Sequence, residues 1–306
     1  MHPTLIRFGE TGGLSTYGVL IAAAFLIGVV LGARVAQRQA IGVGNWLDLA
    51  FWVLVTSLLG SRLFFVITQA DAYIRICAGG ETTRTLGKVL FDCSRPLHVW
   101  EGGLVYYGGL LCGIATSIYF TRKRKIAFLR VADLAIPIVA FGHAIGRLGC
   151  FAAGCCYGKA CAADSVLGVS FPAMSLAYQE LKARAAIAVD ATHTPLLHAT
   201  QLYEAFGESL IFIFLLWLGQ RRRYHGQTLL AYLTLYPILR AVIELYRADP
   251  GRRFIFTFDT PALSRWLGLP TGEPLLLSTS QGISVAVLMA AAILWWRLRK
   301  RRAAAA

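Results

Sequence analysis

The chain has 306 residues, of which 57% are hydrophobic and only 15% charged, and its mean hydropathy is +0.59. That balance excludes an ordinary soluble domain and equally excludes a disordered chain. The formal net charge of +14 would suit a nucleic-acid binder, but the placement of the cations argues against one.

Seven apolar runs approach the roughly 20 residues that a helix needs to cross a bilayer. In chain order they are Tyr17 to Ala33, Leu47 to Ile67, Leu104 to Phe120, Ala132 to Phe151, Tyr203 to Leu218, Thr228 to Tyr246 and Gln281 to Leu298. The first follows an uncharged "TGGLSTYG" rather than a basic leader, so it is expected to stay in the membrane as an anchor. The fifth is the least apolar, because Glu204 and Glu208 lie in its first turns.

Basic residues cluster beside these runs. Arg34 and Arg38 follow the first; "TRKRK" and Arg130 follow the third; "RRR" at 221–223 follows the fifth; Arg297 and "RKRR" end the seventh. Half of the 30 Lys and Arg sit there, while the long connections 69–103, 152–202 and 247–280 dilute the rest. Because cations gather on the cytoplasmic side, the N-terminus is expected outside and the C-terminus in the cytoplasm. The fold class expected is all-α, a polytopic integral membrane protein with seven transmembrane helices. One membrane domain, 1–306, is expected, with 69–103 and 152–202 as extracytoplasmic loop elaborations. The charge is then topological, and nucleic acid is not expected as a partner.

Ionisable residues at membrane depth are costly and mark functional sites. Those singled out within the runs are Arg62, His143, Arg147, Glu204, Glu208, Arg240 and Glu244. In the sixth run Tyr236, Arg240, Glu244 and Arg247 recur at spacings of four, four and three, which puts them on one helical face. Such a stripe must point into the bundle or a wet cavity; it is either a functional face or an Arg240–Glu244 pair that fixes packing. Arg147 lies among Gly142, Gly146, Gly149 and Gly154, which leave room for a planar guanidinium to grip a phosphate or carboxylate. No Walker motif, zinc-protease motif or Ser-His-Asp arrangement is recognisable, and neither a cofactor nor a metal is expected.

Taken together, these segments resemble one family, the bacterial prolipoprotein diacylglyceryl transferases. The resemblance runs in order through "YGVLIAAAFLIG", "LLGSRLFFVI", "WEGGLVYYGGLLCG", "DLAIPIVAFGHAIGRLGCFAAGCCYG", "HATQLYEA", "YPILRAVIELYR" and "SQGIS". It implies an enzyme of the bacterial cytoplasmic (inner) membrane that moves the diacylglyceryl group of phosphatidylglycerol onto the lipobox cysteine of prolipoprotein signal peptides. A thioether forms and glycerol phosphate leaves. By position in the motifs it implies Arg147, Arg240, Glu244 and Tyr107 as catalytic residues. Tyr17, Arg147, Gly154, Tyr236, Arg240, Arg247, Gln201, Glu204 and Gln281 are implied for substrate binding.

Three departures stand out against that pattern. Tyr107 replaces a histidine proposed as the base, Cys150 and Cys155 replace an asparagine and a glutamate, and Ala199 replaces a proline. The base is left between Tyr107 and His143. Cys150, Cys155, Cys156 and Cys161 are spaced by five, one and five, a poor pattern for structural zinc. Catalysis through an enzyme thioether would be a dead end. Small apolar packing or disulfides on an oxidising side remain, Cys77 with Cys93 and Cys161 with Cys155 or Cys156. Two other readings stay open: a divergent relative with another acceptor or no catalysis, and a quinone-coupled membrane thiol oxidoreductase.

Overall fold

A computed structural model describes residues 4–8, 12–39, 41–78, 93–98, 103–161, 165–188, 190–248, 254–257, 260–269 and 275–303. Helices dominate, for the reason that a backbone in hydrocarbon must satisfy its own N–H and C=O groups. Six are long and apolar enough to cross a membrane: α1 (Thr16–Arg38), α2 (Val43–Thr68), and four more named below. Their outward faces carry large apolar side chains, among them Leu26, Leu59, Phe206, Ile213 and Met289, all exposed. The buried polar set includes Glu204, Glu208 and Glu244. Apolar outside and charged inside suits a lipid surround.

The chain divides into two compact units, 33–131 and 1–32 with 132–306. In the first, α2 is followed by α3 (Ala70–Ala78) and later by α4 (Tyr106–Lys123). α4 occupies the expected third run, but its glycines, tyrosines and terminal Arg122 and Lys123 leave it less apolar than the six. The paired glycines of that segment serve helix contact. A Cβ at Gly108 would lie 2.4 Å from the Gly60 carbonyl oxygen, and one at Gly109 would meet Ser61 Oγ at 2.5 Å. Glycines at these positions let two backbones approach closely, and Thr116 adds a hydroxyl bond of 2.8 Å to Thr56.

Arg62, a candidate from the sequence, anchors local structure in this unit. Its Nε donates to the Pro96 carbonyl at 2.9 Å, its Nη1 to Gly103 and its Nη2 to the Tyr73 hydroxyl. Cys77 and Cys93 form a disulfide, a pairing that the sequence leaves open beside simple packing; residues 79–92 between them, and Trp100, Glu101 and Gly102 of the paired-glycine motif, lie outside the described residues.

The second unit holds the site. A short antiparallel pair, β1 (Thr4–Phe8) and β2 (Gly12–Ser15), leads into α1. α5 (Phe128–Ala153) is the signature helix, and α7 (Thr200–Arg221), α8 (Gln227–Tyr246) and α10 (Thr279–Ala303) complete the long set. α7 and α10 both pack against α8. Between α5 and α7 lie β3 (Gly168–Val169), α6 (Leu176–Ala183) and β4 (Leu197–His198), with α9 (Pro261–Trp266) before α10. Ser175 starts α6 by accepting the Tyr178 N–H at its hydroxyl, an N-cap. The small strands β3 and β4 pair antiparallel and are additions to the all-α expectation.

One buried acid shapes this unit and was missed in the sequence. Asp133, on α5, accepts the backbone N–H groups of Gly226 (2.7 Å), Thr228 (3.0 Å) and Leu229 (3.0 Å) at the start of α8. Those donors have no partner within their own helix, and the positive end of the helix dipole suits a carboxylate. Arg222 Nη1 lies 3.8 Å away on the other side.

Candidate functional site

The segment after α5 ties three helix ends together. Gly158 N–H donates to His198 O (2.8 Å), His198 N–H to Lys159 O (2.9 Å) and Lys159 N–H to Tyr246 O (2.7 Å). The start of α7 and the end of α8 are thereby fixed to the signature turn. No side chain fits at Gly158, where a Cβ would lie 2.7 Å from both the His198 and Tyr246 carbonyl oxygens. Gly154, at φ +71, likewise abuts Ser175 Cβ at 2.6 Å, so its place in the site is conformational.

Glu204 is the hub. Its side chain is 1% exposed and its Oε2 receives Arg147 Nε at 3.0 Å and stands 3.8 Å from Arg240 Nη1. Its Oε1 lies 3.4 Å from His143 Nε2, while His143 Nδ1 meets Glu208 Oε1 at 2.8 Å. Arg147 Nε also points at His143 Nε2, at 3.3 Å. Tyr232 donates its hydroxyl to Glu208 at 3.3 Å, and Tyr236 stacks on Tyr232 and lies edge-on to His143. Helices α5, α7 and α8 therefore share one buried polar network.

Arg240 is held from three sides. Glu244 Oε2 takes its Nη2 at 2.8 Å, Ser280 Oγ of α10 accepts its Nε at 3.1 Å, and Nη1 faces Glu204. Glu244 lies against Arg240, while Tyr236 spends its ring on His143 and Tyr232. Nη1 of Arg240 is buried with no hydrogen-bond acceptor within reach among the described residues. The terminal nitrogens of Arg147, likewise, have no acceptor among the described residues, and its side chain is 16% exposed. The donors left over beside Glu204 Oε2 are therefore the terminal nitrogens of Arg147 and the buried Nη1 of Arg240.

Other expected residues take varied positions. Tyr17 lies over Gly149, where a Cβ would meet its Cδ2 at 2.9 Å. Arg247 leaves the helical face: it is the C-cap of α8 with extended backbone and pairs with Gly158 in a bridge. Gln281 uses its amide within the protein, accepting the Ser278 N–H and donating to Ala241 O. Gln201 donates to the Cys155 carbonyl at 2.6 Å and Thr200 to the Cys156 carbonyl at 2.8 Å. Tyr107 belongs to the other unit, on α4, 51% exposed and edge-on to Tyr106.

The sequence did not single out Tyr232 and Ser280 as site residues. Tyr232 stands one turn before Tyr236, so carrying the stripe back by four residues would have found it; Ser280 sits inside "SQGIS" with no signal of its own. His198, expected only as part of a motif, meets the Tyr203 hydroxyl at 3.0 Å and stacks edge-on to Tyr246. Burial lowers its pKa.

The thiols converge more than their spacing implied. The sulfurs of Cys150, Cys155 and Cys156 all lie within 4.8 Å of one another. The expected pairing of Cys161 with Cys155 or Cys156 is not formed; all four are free. Within the cluster, hydrogen bonds from Cys150 and Cys155, with Arg247 and Arg147 nearby, lower the Cys156 thiol, whereas its thiol neighbours and burial push Cys155 up.

Residues 3–297 match the family model for prolipoprotein diacylglyceryl transferase. Among curated proteins, a phosphatidylglycerol–prolipoprotein diacylglyceryl transferase from Finegoldia magna is 28% identical over 93% of this chain and 91% of its own length. Proteins of the same name from Synechococcus elongatus and Parasynechococcus marenigrum are 30% and 32% identical, each over 81% of this chain and over 77% and 81% of their own lengths. A match through nearly the whole length leaves one conclusion: the chain belongs to the prolipoprotein diacylglyceryl transferase family.

Proposed function

We propose that this protein transfers the diacylglyceryl group of phosphatidylglycerol to the thiol of a lipobox cysteine in prolipoproteins, the first step of lipoprotein maturation in the bacterial inner membrane. The supporting observation is the meeting of Arg147 and Arg240 at one oxygen of buried Glu204, with the Arg147 terminal nitrogens and Arg240 Nη1 left without an acceptor among the described residues. In the reaction a glycerol C–O bond to phosphate breaks, a C–S bond forms, and glycerol phosphate leaves with the bonding electrons. Negative charge grows on the phosphate oxygens. Preset donors in a low-dielectric site stabilise that charge in the transition state, and a planar guanidinium can grip two oxygens at once. Glu204 and Glu244 hold the two heads, and Tyr17, Gly154, Tyr236, Arg247, Gln201 and Gln281 shape the surrounding walls.

The acceptor thiol must lose its proton, since the thiolate is the nucleophile. Tyr107 stands at the family's histidine position and is the residue that the resemblance offers for this step. The placing of cations beside alternate spans supports seven crossings, with α4 as the third, the N-terminus outside and the C-terminus in the cytoplasm. Segments 69–103 and 152–202 would then face the acceptor side.

The test is direct. Protein reconstituted with phosphatidylglycerol should shift a lipobox peptide by one diacylglyceryl mass, and should rescue a strain depleted of its own transferase. Arg147→Ala and Arg240→Ala should each slow the shift about 10²–10³-fold, the cost of losing one charge-stabilising donor. Unchanged rates in both variants would refute the proposal.

A further inference from the structure

We infer that Cys150, Cys155 and Cys156 form a zinc site with three thiolate ligands and an open fourth position, which receives the lipobox thiol and delivers it as thiolate. This inference rests on the transferase reading for its catalytic part and on the thiol geometry alone for the metal.

The geometry is that of a built site. Zinc binds cysteine sulfur at about 2.3 Å, so a tetrahedral site needs sulfurs about 3.8 Å apart; here three lie within 4.8 Å of one another, within reach by small side-chain rotations. Spacings of five and one differ from the short Cys-x-x-Cys-type pairs usual in structural zinc sites, and the fold of the turn supplies what the spacing does not. Gly154 at φ +71 and Cys156 at φ +60 turn the chain back on the end of α5. A non-glycine residue in that region is strained, and here the strain brings the Cys155 and Cys156 thiols to Cys150. The turn is fastened from behind, as Gln201 and Thr200, both buried, take the carbonyls of Cys155 and Cys156 at 2.6 and 2.8 Å. Supporting bonds of this kind are what hold metal ligands in place.

Charge and position agree. Zinc with three thiolates carries a net single negative charge, which suits a neighbouring cation. Arg147 is also one turn before Cys150 on α5 and half of the proposed phosphate grip. A thiol bound at the open position would stand beside the lipid phosphate. Three protein ligands with one open position is the pattern of catalytic rather than structural zinc, and a zinc-bound thiol is deprotonated outright. The balance closes without an oxidant. The thiol proton passes to water as sulfur binds zinc, the sulfur then attacks the glycerol carbon, the C–O bond breaks toward phosphate, and the neutral thioether dissociates from the metal. A chain with Tyr107 in place of the family's histidine would need such a route.

The experiment uses full-length protein in detergent, stripped by a chelator and reloaded with Zn²⁺ or Co²⁺. Expected are about one zinc per chain, thiolate-to-cobalt charge-transfer absorption, and protection of three thiols from alkylation by zinc. Cobalt absorption should disappear in Cys150→Ser, Cys155→Ser and Cys156→Ser and persist in Cys112→Ser and Cys161→Ser. The alkylation measurement reads the same site in the unmutated chain, so a variant that fails to insert costs nothing. No stoichiometric zinc, no protection, or a disulfide among the three in the unreduced protein would overturn the site. Removing the metal should slow transfer about 10²-fold, the usual worth of a catalytic base. Full-rate transfer by metal-free protein would overturn the catalytic role. Zinc uptake with no transfer at all would refute the transferase reading and leave the metal site standing.

Discussion

Arg147→Lys separates a site that needs charge from one that needs shape. The replacement keeps the positive charge but has one nitrogen where arginine has three. In the structure Arg147 gives its Nε to Glu204 at 3.0 Å and toward His143 at 3.3 Å, and both terminal nitrogens remain for a ligand. A lysine nitrogen placed on Glu204 has no second edge to offer, and one turned to the phosphate abandons a buried carboxylate. One oriented donor lost at a developing oxyanion costs about 2.7–4 kcal/mol, or 10²–10³ in rate. The variant is therefore expected within about tenfold of Arg147→Ala in kcat/KM for the lipobox peptide. Thermal unfolding in detergent checks that the fold survives. Retention of more than a tenth of the unmutated rate would refute the argument and reduce Arg147 to a source of positive potential.

Glu204→Gln keeps size but leaves Arg147 and Arg240 without their shared carboxylate; breaking a buried pair in this way should cost about 3–5 kcal/mol of stability and most of the transfer rate, and a thermal midpoint unchanged from the parent would contradict it. Asp133→Asn should cost about 2 kcal/mol, because one charge facing three helix-end donors is lost. Its transfer rate at low temperature should stay near normal, since fourteen residues of α5, about 21 Å, separate it from Arg147; a selective rate loss without destabilisation would mean that the acid has another task. Cys77→Ser opens a loop of separation 16 and should lower stability by about 3 kcal/mol, read as a fall in unfolding temperature that reducing agent reproduces in the parent protein.

The helices and the arginine chemistry were legible because both rest on local rules. Hydropathy located the long helices to within a few residues, and four-residue spacing put Arg240 over Glu244. What was not legible depends on chain reversal. Glu204 and Glu208 were candidates by their depth in the membrane, but only the meeting of α5, α7 and α8 shows which cations they face: Glu204 two arginines and a histidine, Glu208 the same histidine. Asp133 serves a helix that begins more than ninety residues later, a link for which spacing carries no signal. The convergence of the cysteines was not legible for the same reason: linear spacing does not show a chain reversal, and positive φ at Gly154 and Cys156 gathers three sulfurs of a seven-residue segment within 4.8 Å of one another.

Three buried glutamates accompany the two central arginines, so the site does not attract its substrate by excess positive charge. Its chemistry depends on which edges those carboxylates occupy. Glu204 takes Arg147 by Nε, Ser280 takes Arg240 by Nε, and Glu244 takes Arg240 by one terminal nitrogen. Each guanidinium is thereby fixed in orientation, with both terminal nitrogens of Arg147 and Nη1 of Arg240 left over. Fixed donors need little reorganisation as charge develops on a leaving phosphate, which is where preorganisation gains its advantage over water. The same pinning explains why charged residues can persist at membrane depth, since most of their bonds are already made within the protein. The donors left over are the ones that a phosphate ester, arriving with its own negative charge, would complete.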